Sequence, residues 1–255
     1  MSYIISASTH TGNIKKTNQD SYVVRRYETQ RGQVVLAVIC DGMGGLQKGE
    51  LASTTVVNEF LKWSDNNLLS FIEGGCQDGV IREQWKNVVI NCNEKIQNYG
   101  KHSGITLGTT ISAILLTEKE YWIINVGDSR VYRLRDGVQQ LTEDHSVVAK
   151  DIRDGRITPE QAAVDVRRSV LLQCIGASET VYPDVFHGMT EPNTTYMLCS
   201  DGFHHELSDQ EIWTYMSANA CTDAGTMKRN IEYLISLDMS RNERDNITAL
   251  LIKKC

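Results

Sequence analysis

Five aspartates stand where apolar, strand-like runs give way to turns: Asp20 in TNQDS, Asp41 in VICDGMGG, Asp128 in NVGDSR, Asp201 in LCSDGF and Asp245 in ERDNIT. A strand that runs into Asp-Gly leaves a carboxylate at the sheet rim, with an unhindered backbone carbonyl beside it, here that of Gly42. Taken singly, each reads as a turn-starting Asp, the commonest reason for Asp-Gly or Asp-Ser after a strand. Taken together, they are the oxygen donors that a hard divalent cation collects from several chain segments. Without a cation, that many converging carboxylates would repel one another and their pKa values would rise. His204 and His205 are adjacent and no HxxxH or HExxH spacing occurs, so zinc is not indicated. The stretch from Asp151 to Gly155 lacks the alternating ligand spacing of a calcium loop. Gly42-Met43-Gly44-Gly45 matches neither a dinucleotide fingerprint nor a Walker loop, and reads as a tight turn that lets backbone approach a ligand.

The rest of the chain sets the bounds on such a site. Its 255 residues are 41% hydrophobic and 23% charged, enough apolar material for a packed core. With 3 prolines, 19 glycines and no low-complexity tract, disorder and linker-dominated architectures are excluded. Lys plus Arg number 26 against 32 Asp plus Glu, a net charge of -6 with no compensating basic cluster, which argues against nucleic acid as a partner. The longest apolar stretches, such as Val34 to Cys40, fall far short of the roughly 20 residues that cross a bilayer, so no membrane role is expected. The start, MSYIISASTHTG, has no basic residues leading into an apolar stretch, so it does not read as a secretory signal and the cytoplasm is the expected location. Seven widely spaced cysteines without a CxxC pair read as reduced thiols. None of Cys40, Cys92, Cys174, Cys199 and Cys221 has an Arg six residues on; Cys76 alone does, with Arg82, so five of the six offer no Cys-x5-Arg nucleophile loop.

The elements that must position the aspartates can be read from periodicity. Residues 3–9, 20–28 and 33–40 are short, β-branched and bounded by turns, and predict strands. Helical spacing runs from Lys48 to about Trp63 and from Val80 to about Tyr99. Residues 110–116, 121–126, 130–135 and 138–141 predict a four-stranded meander turning at Glu118-Lys119, Gly127-Asp128 and Asp136-Gly137. A polar segment, 144–180, is broken by Gly155 and Pro159; then follow a strand at 194–200, helices near 208–219 and 223–238, and a last strand at 246–252. Strands in runs and helices in runs indicate a layered α+β fold, and nothing resembles a linker, so 1–255 is expected to be one domain.

Seven motifs follow one another in a recognisable order: GNIKKTNQDS, VICDGMGG, LGTT, NVGDSRVYRLRDG, LTEDHS, SDGF and RDNIT. Over nearly the whole chain, from about Gly12 to Leu251, the sequence resembles the metal-dependent protein phosphatases of the protein phosphatase 2C type, in their compact bacterial form. The resemblance implies a four-layer αββα sandwich, two antiparallel sheets flanked by helices, with residues 144–180 as a flap beside the active site. It further implies two Mn²⁺ or Mg²⁺ ions: Asp41 bridging both, the Gly42 carbonyl as a further ligand, Asp201 and Asp245 on the first and Asp20 on the second. Asp128 with Asp201 would hold a third, weaker ion, and Asn246 would orient Asp245 from behind. The implied reaction is hydrolysis of phosphoserine and phosphothreonine in proteins by a metal-activated water, opposing a bacterial Ser/Thr kinase, carried out by a monomer.

Two positions depart from the pattern, and a third differs from that of the eukaryotic relatives alone. Lys15 stands where the family usually has the Arg that grips the substrate phosphate, keeping the charge but losing the bidentate fork. Gln19 replaces a common Glu, a weaker contribution to the second metal's surroundings, and Met43 stands where eukaryotic relatives carry His. Lys15 and Gln19 leave room for a second reading, a catalytically weak phosphoprotein-binding module on the same fold. Such a relative would be expected to lose metal carboxylates, whereas Asp41, Gly42, Asp201 and Asp245 are all present. A small-molecule phosphoesterase is a third reading that the motifs leave open.

Overall fold

Strands β1 (Tyr3–His10), β2 (Ser21–Thr29) and β3 (Gly32–Cys40) come first, followed by the long helices α1 (Gly49–Glu73) and α2 (Asp78–Ser103). The computed structural model describes residues 2–43 and 48–255, so the Gly44-Gly45 half of the glycine turn lies outside the described residues. The chain continues with β4 (Ile111–Leu116), β5 (Glu120–Val126), β6 (Arg130–Leu134) and β7 (Val138–Gln140), then the short helices α3 (Val147–Arg153) and α4 (Pro159–Ala163). Strands β8 (Asp184–Met189) and β9 (Thr194–Cys199), helices α5 (Asp201–His204), α6 (Asp209–Met216) and α7 (Ala224–Ser240), and strand β10 (Ile247–Lys254) complete it.

The strands form two five-stranded antiparallel sheets, ordered β1-β10-β9-β6-β7 and β2-β3-β4-β5-β8. Alternation along β3 explains the layering. Val34, Leu36, Val38 and Cys40 face α1 and α2, packing with Phe60, Trp85 and Trp122, while Val35, Ala37 and Ile39 face the other sheet. Strand β10 does the same in the second sheet: Ile247, Ala249 and Leu251 pack with Phe203, Ile231 and Leu234 of the helices, and Leu250 and Ile252 fill the space between sheets. A strand covered on both faces is apolar throughout, and helix, sheet, sheet, helix is the resulting order, as expected.

The expected meander does not form. β4 pairs with β5 in one sheet, but β6 pairs with β7 and β9 in the other. The switch happens at Gly127, whose φ of +105° and contact with Thr110, where a Cβ would lie 2.5 Å from Cγ2, suit glycine alone. Two hairpins therefore sit face to face instead of side by side. Strand β8, a half-buried edge strand, and the one-turn α5 were not anticipated. Within 144–180 the chain forms α3 and α4, the latter opened by a capping box between Thr158 and Gln161 with Pro159 in the first turn. Among the described residues no helix is long and apolar enough to cross a membrane.

Candidate metal and phosphate site

Strand register gathers the five aspartates at one end of the sandwich. Ser21 pairs with Cys40, Ile111 with Val126, and Cys199 with both Arg130 and Ala249. Asp20 thus precedes β2, Asp41 follows β3, Asp128 links β5 to β6, Asp201 opens α5 after β9, and Asp245 precedes β10. Three aspartates come from the rim of one sheet and two from the other. Asp128 and Asp201 are buried; Asp20, Asp41 and Asp245 are half-buried at the rim.

Backbone and hydroxyl groups fix these side chains. The Asp41 carbonyl accepts from Thr110 N–H at 2.9 Å and from the Thr109 hydroxyl at 2.8 Å, while Asp41 N–H donates to Thr110 Oγ1 at 3.0 Å. The LGTT motif therefore holds the end of β3. Beside it Gly42 donates to the Gln19 carbonyl at 3.2 Å, and a Cβ at Gly42 would lie 2.5 Å from both that oxygen and the Gly49 carbonyl. Only glycine fits there. Asp20 Oδ2 accepts from Thr248 Oγ1 at 2.6 Å, reaching across to β10. The Gln19 side chain turns away, with Nε2 donating to Glu50 Oε2 at 3.2 Å.

Asn246 N–H donates to Asp245 Oδ1 at 2.8 Å. The Asn246 side chain works elsewhere: Nδ2 donates to the carbonyls of Thr11 and Thr17, and Oδ1 accepts from Gln19 N–H at 2.9 Å. It clamps the 11–19 loop, so its action on Asp245 runs through the main chain. Lys15, carried by that loop, lies with Nζ 2.9 Å from Asp245 Oδ1.

Burial first, and the neighbouring charges after it, raise Asp20, Asp41, Asp128 and Asp201. Burial pushes Asp20 up to about 7, with the Thr248 and Ser200 hydroxyls pulling down and Asp201 and Asp245 pushing further up. Asp128 rises to about 8, through burial and then the charges of Asp201 and Asp144. Asp41 is raised well above the usual carboxylate range by burial and by Asp20, Asp201, Asp245 and Asp128. Asp201 is raised by burial, with His205 opposing and Asp245 adding to it. Asp20 Oδ1 and Asp201 Oδ1 are buried without a hydrogen-bond partner.

Those two oxygens are the test of fit for a cation. A buried carboxylate oxygen with no donor costs free energy unless something positive meets it, and the all-oxygen donor set suits Mg²⁺ or Mn²⁺. Among the described residues no three carboxylate, imidazole or thiolate groups are drawn into a preformed ligand cage. The residues fit a cation by chemistry and placement, and ion binding would have to draw them together.

Sequence reasoning overlooked several neighbours. Ser200 and Thr248 set the surroundings of Asp20. His205 Nε2 lies 3.8 Å from Asp201 Oδ2, and Glu243 Oε1 accepts from the backbone of Arg244 and Asp245. The four-residue step from Asp201 to His205 would have signalled their meeting had α5 been recognised as helical. Buried His204 is held well below the usual imidazole range by burial and by the charges of Arg130 and His205. It borders a cavity of about 420 Å³ bounded by Asp128, Arg130, His205 and, from α3 and α4, Val148 and Ala162. Helices α3 and α4 of the 144–180 segment therefore share a cavity with Asp128.

Known proteins share this chain's sequence pattern and fold. A family described as "Protein phosphatase 2C" matches residues 10–232. The serine/threonine phosphatase stp of Listeria monocytogenes serotype 4b is 31% identical over 251 residues, covering 96% of this chain and 94% of its own. The structure of the S. agalactiae serine/threonine phosphatase superposes with a TM-score of 0.84 at 29% identity, covering all of both chains. The catalytic domain of the serine threonine protein phosphatase PstP, in complex with 2 manganese ions, superposes at 0.77 with 25% identity and 99% coverage of each chain. With its order of motifs, its paired antiparallel sheets and its rim of aspartates, this chain belongs to the protein phosphatase 2C family.

Proposed function

We propose that the chain is a protein serine/threonine phosphatase that removes phosphate from phosphoserine and phosphothreonine in proteins, using two Mn²⁺ or Mg²⁺ ions and a third, weaker one. The observation that carries this reading is the rim cluster itself: five aspartates from two sheets, with Asp20 Oδ1 and Asp201 Oδ1 buried and unpartnered. Family membership supports the reaction, and the manganese-bound relative supports the choice of ion.

Asp41 would be shared between two ions, with the Gly42 carbonyl, Asp201 and Asp245 completing one site and Asp20 the other; Asp128 and Asp201 would hold the third. Divalent cations bound there lower the pKa of water towards neutrality and neutralise charge on the phosphoryl oxygens. The protein's own part is placement. Thr109 and Thr110 fix the Asp41 backbone, Thr248 fixes Asp20, and Asn246 fixes the loop that carries Lys15. Lys15 binds a phosphate oxygen as a single point charge, without the directional fork of an arginine. Its substrates are phosphorylated proteins, so a Ser/Thr kinase must supply them, and the reading places the enzyme in the cytoplasm as a monomer.

Phosphate release from a phosphothreonine peptide and from free phosphothreonine, each with Mn²⁺, tests the substrate class. Faster turnover of the peptide supports a protein phosphatase. Equal turnover would favour a small-molecule phosphoesterase, and no turnover of either would overturn the enzyme reading.

A further inference from the structure

Two side chains that the reaction does not use, buried Glu243 and half-buried His205, lie directly behind the cluster. Glu243 is 4% exposed, and its Oε1 accepts from two successive backbone amides, Arg244 N–H at 2.6 Å and Asp245 N–H at 2.9 Å. Its other oxygen, Oε2, has no hydrogen-bond partner and faces His205 Nδ1 at 3.6 Å. The opposite nitrogen of that ring, Nε2, faces Asp201 Oδ2 at 3.8 Å. These separations are too long for hydrogen bonds but are close for charges in a buried setting. An imidazole thus stands between the carboxylate of Asp201 and the carboxylate that holds the Asp245 turn.

Few other contacts keep the two segments so joined in register; on the far side of them Arg241 donates to the Glu206 carbonyl at 2.6 Å. Pairing between β9 and β10 ends at Cys199 and Ala249, with Ser200 N–H donating to the Thr248 carbonyl and Thr248 N–H to Ser200 Oγ just beyond it. Asp201 and Asp245 both lie beyond that point. Past it the segments touch at Gly202, where a Cβ would lie 2.3 Å from the Asn246 carbonyl and 3.4 Å from Asp245 Cβ. His205 and Glu243 supply a second point of contact, nearly one helical turn further on. Two points of contact fix an orientation that one leaves free. A buried carboxylate is costly to keep, and a neutral side chain could satisfy the two amides equally well, so the charge on Glu243 needs a role of its own.

We infer that His205 and Glu243 are positioning residues: they fix Asp201 and Asp245 relative to one another and so set the affinity of the cluster for divalent cations. The inference rests on the metal-dependent reading above. Partners behind metal ligands typically govern affinity by about 10- to 100-fold without touching the ion.

The test is Mn²⁺ binding by titration calorimetry to the wild type, Glu243→Gln, His205→Gln and the double variant, alongside KM for a phosphothreonine peptide and thermal midpoints in EDTA. Glu243→Gln keeps the acceptor for the two amides and removes only the charge. Each single variant is expected to weaken Mn²⁺ binding about tenfold or more with KM for the peptide nearly unchanged. The double variant is expected to lose less than the sum, because both act through one contact. Lower midpoints with wild-type Mn²⁺ affinity would overturn the inference and leave the phosphatase reading intact. A wild type that binds no Mn²⁺ would overturn both.

Discussion

The ammonium of Lys15 reaches Asp245 from the 11–19 loop, its Nζ 2.9 Å from Oδ1 and 3.1 Å from Oδ2. The same carboxylate is a proposed metal ligand, so Lys15 and a divalent cation compete for it. Once displaced, the ammonium is free to meet a phosphate oxygen close by. The pair is about one-third exposed, so its weight lies in this exchange more than in stability.

Lys15→Ala is therefore expected to move two quantities in opposite senses. Mn²⁺ binding tightens a few-fold because a competing cation is gone. KM for a phosphothreonine peptide rises about tenfold or more, since a hydrogen bond to a charged group contributes about 1.5–3 kcal/mol. Calorimetry and steady-state kinetics on one preparation read both. An unchanged KM would place the phosphate grip elsewhere.

Metal removal and pH are linked through the crowded aspartates. Asp20 and Asp128 have folded pKa values of about 7 and about 8 against an ordinary 3.8, and Asp41 is also raised. A raised carboxylate contributes stability that is complete below its unfolded pKa and lost as pH rises through the folded one. In EDTA the thermal midpoint is thus expected to fall between about pH 5 and 8.5, across the two folded values. Of the groups shifted the other way, Glu211, held down to about 2 chiefly by Arg241, loses its contribution only in strong acid, whereas His204, held low by burial, opposes part of the fall up to about pH 6.5. Mn²⁺ should raise the midpoint more at the alkaline end, where no protons need be released. A midpoint in EDTA that is flat or rising with pH would contradict the charge crowding.

Asn246 offers a stability test separate from metal binding. Its side chain, 2% exposed, bonds Thr11, Thr17 and Gln19, and Asn246→Ala leaves those backbone groups unmet. At about 1 kcal/mol per bond the loss is roughly 3 kcal/mol, which lowers the midpoint by roughly 6–12 °C in a chain of this size. Calorimetric unfolding of the EDTA-treated variant measures it. A midpoint within a degree or two of wild type would mean that the 11–19 loop is held by other contacts.

The sequence made some of this architecture plain and concealed the rest for physical reasons. β3 and β10 were evident because burial on both faces leaves uninterrupted apolar runs. The meander misled because β4–β5 and β6–β7 are both hairpins; only Gly127 separates two pairs in one sheet from two pairs in opposite sheets. Strand β8 hid behind His187 and Gly188 on a half-buried edge. Helices α1 and α2 run past the expected ends at Trp63 and Tyr99: α2 continues through exposed polar residues, while in α1 the polar stretch Ser64–Asn67 masks Leu68, Phe71 and Ile72, which resume the buried face at helical spacing. In the site, turn motifs marked each aspartate, since a carboxylate at a strand end has a local signature. Glu243 had none, because its role depends on contact between α5 and the turn before β10, which no spacing encodes; His205 had only its four-residue step from Asp201, silent while α5 went unrecognised.

Mn²⁺ dependence of phosphate release from a phosphothreonine peptide, in the wild type and in Asp41→Asn, tests the central claim most directly. Wild-type activity that is abolished by EDTA and restored by Mn²⁺, with a loss in Asp41→Asn of about a hundredfold or more (~3 kcal/mol of barrier), is the predicted result. Phosphate release that survives EDTA, or that Asp41→Asn leaves intact, would contradict it.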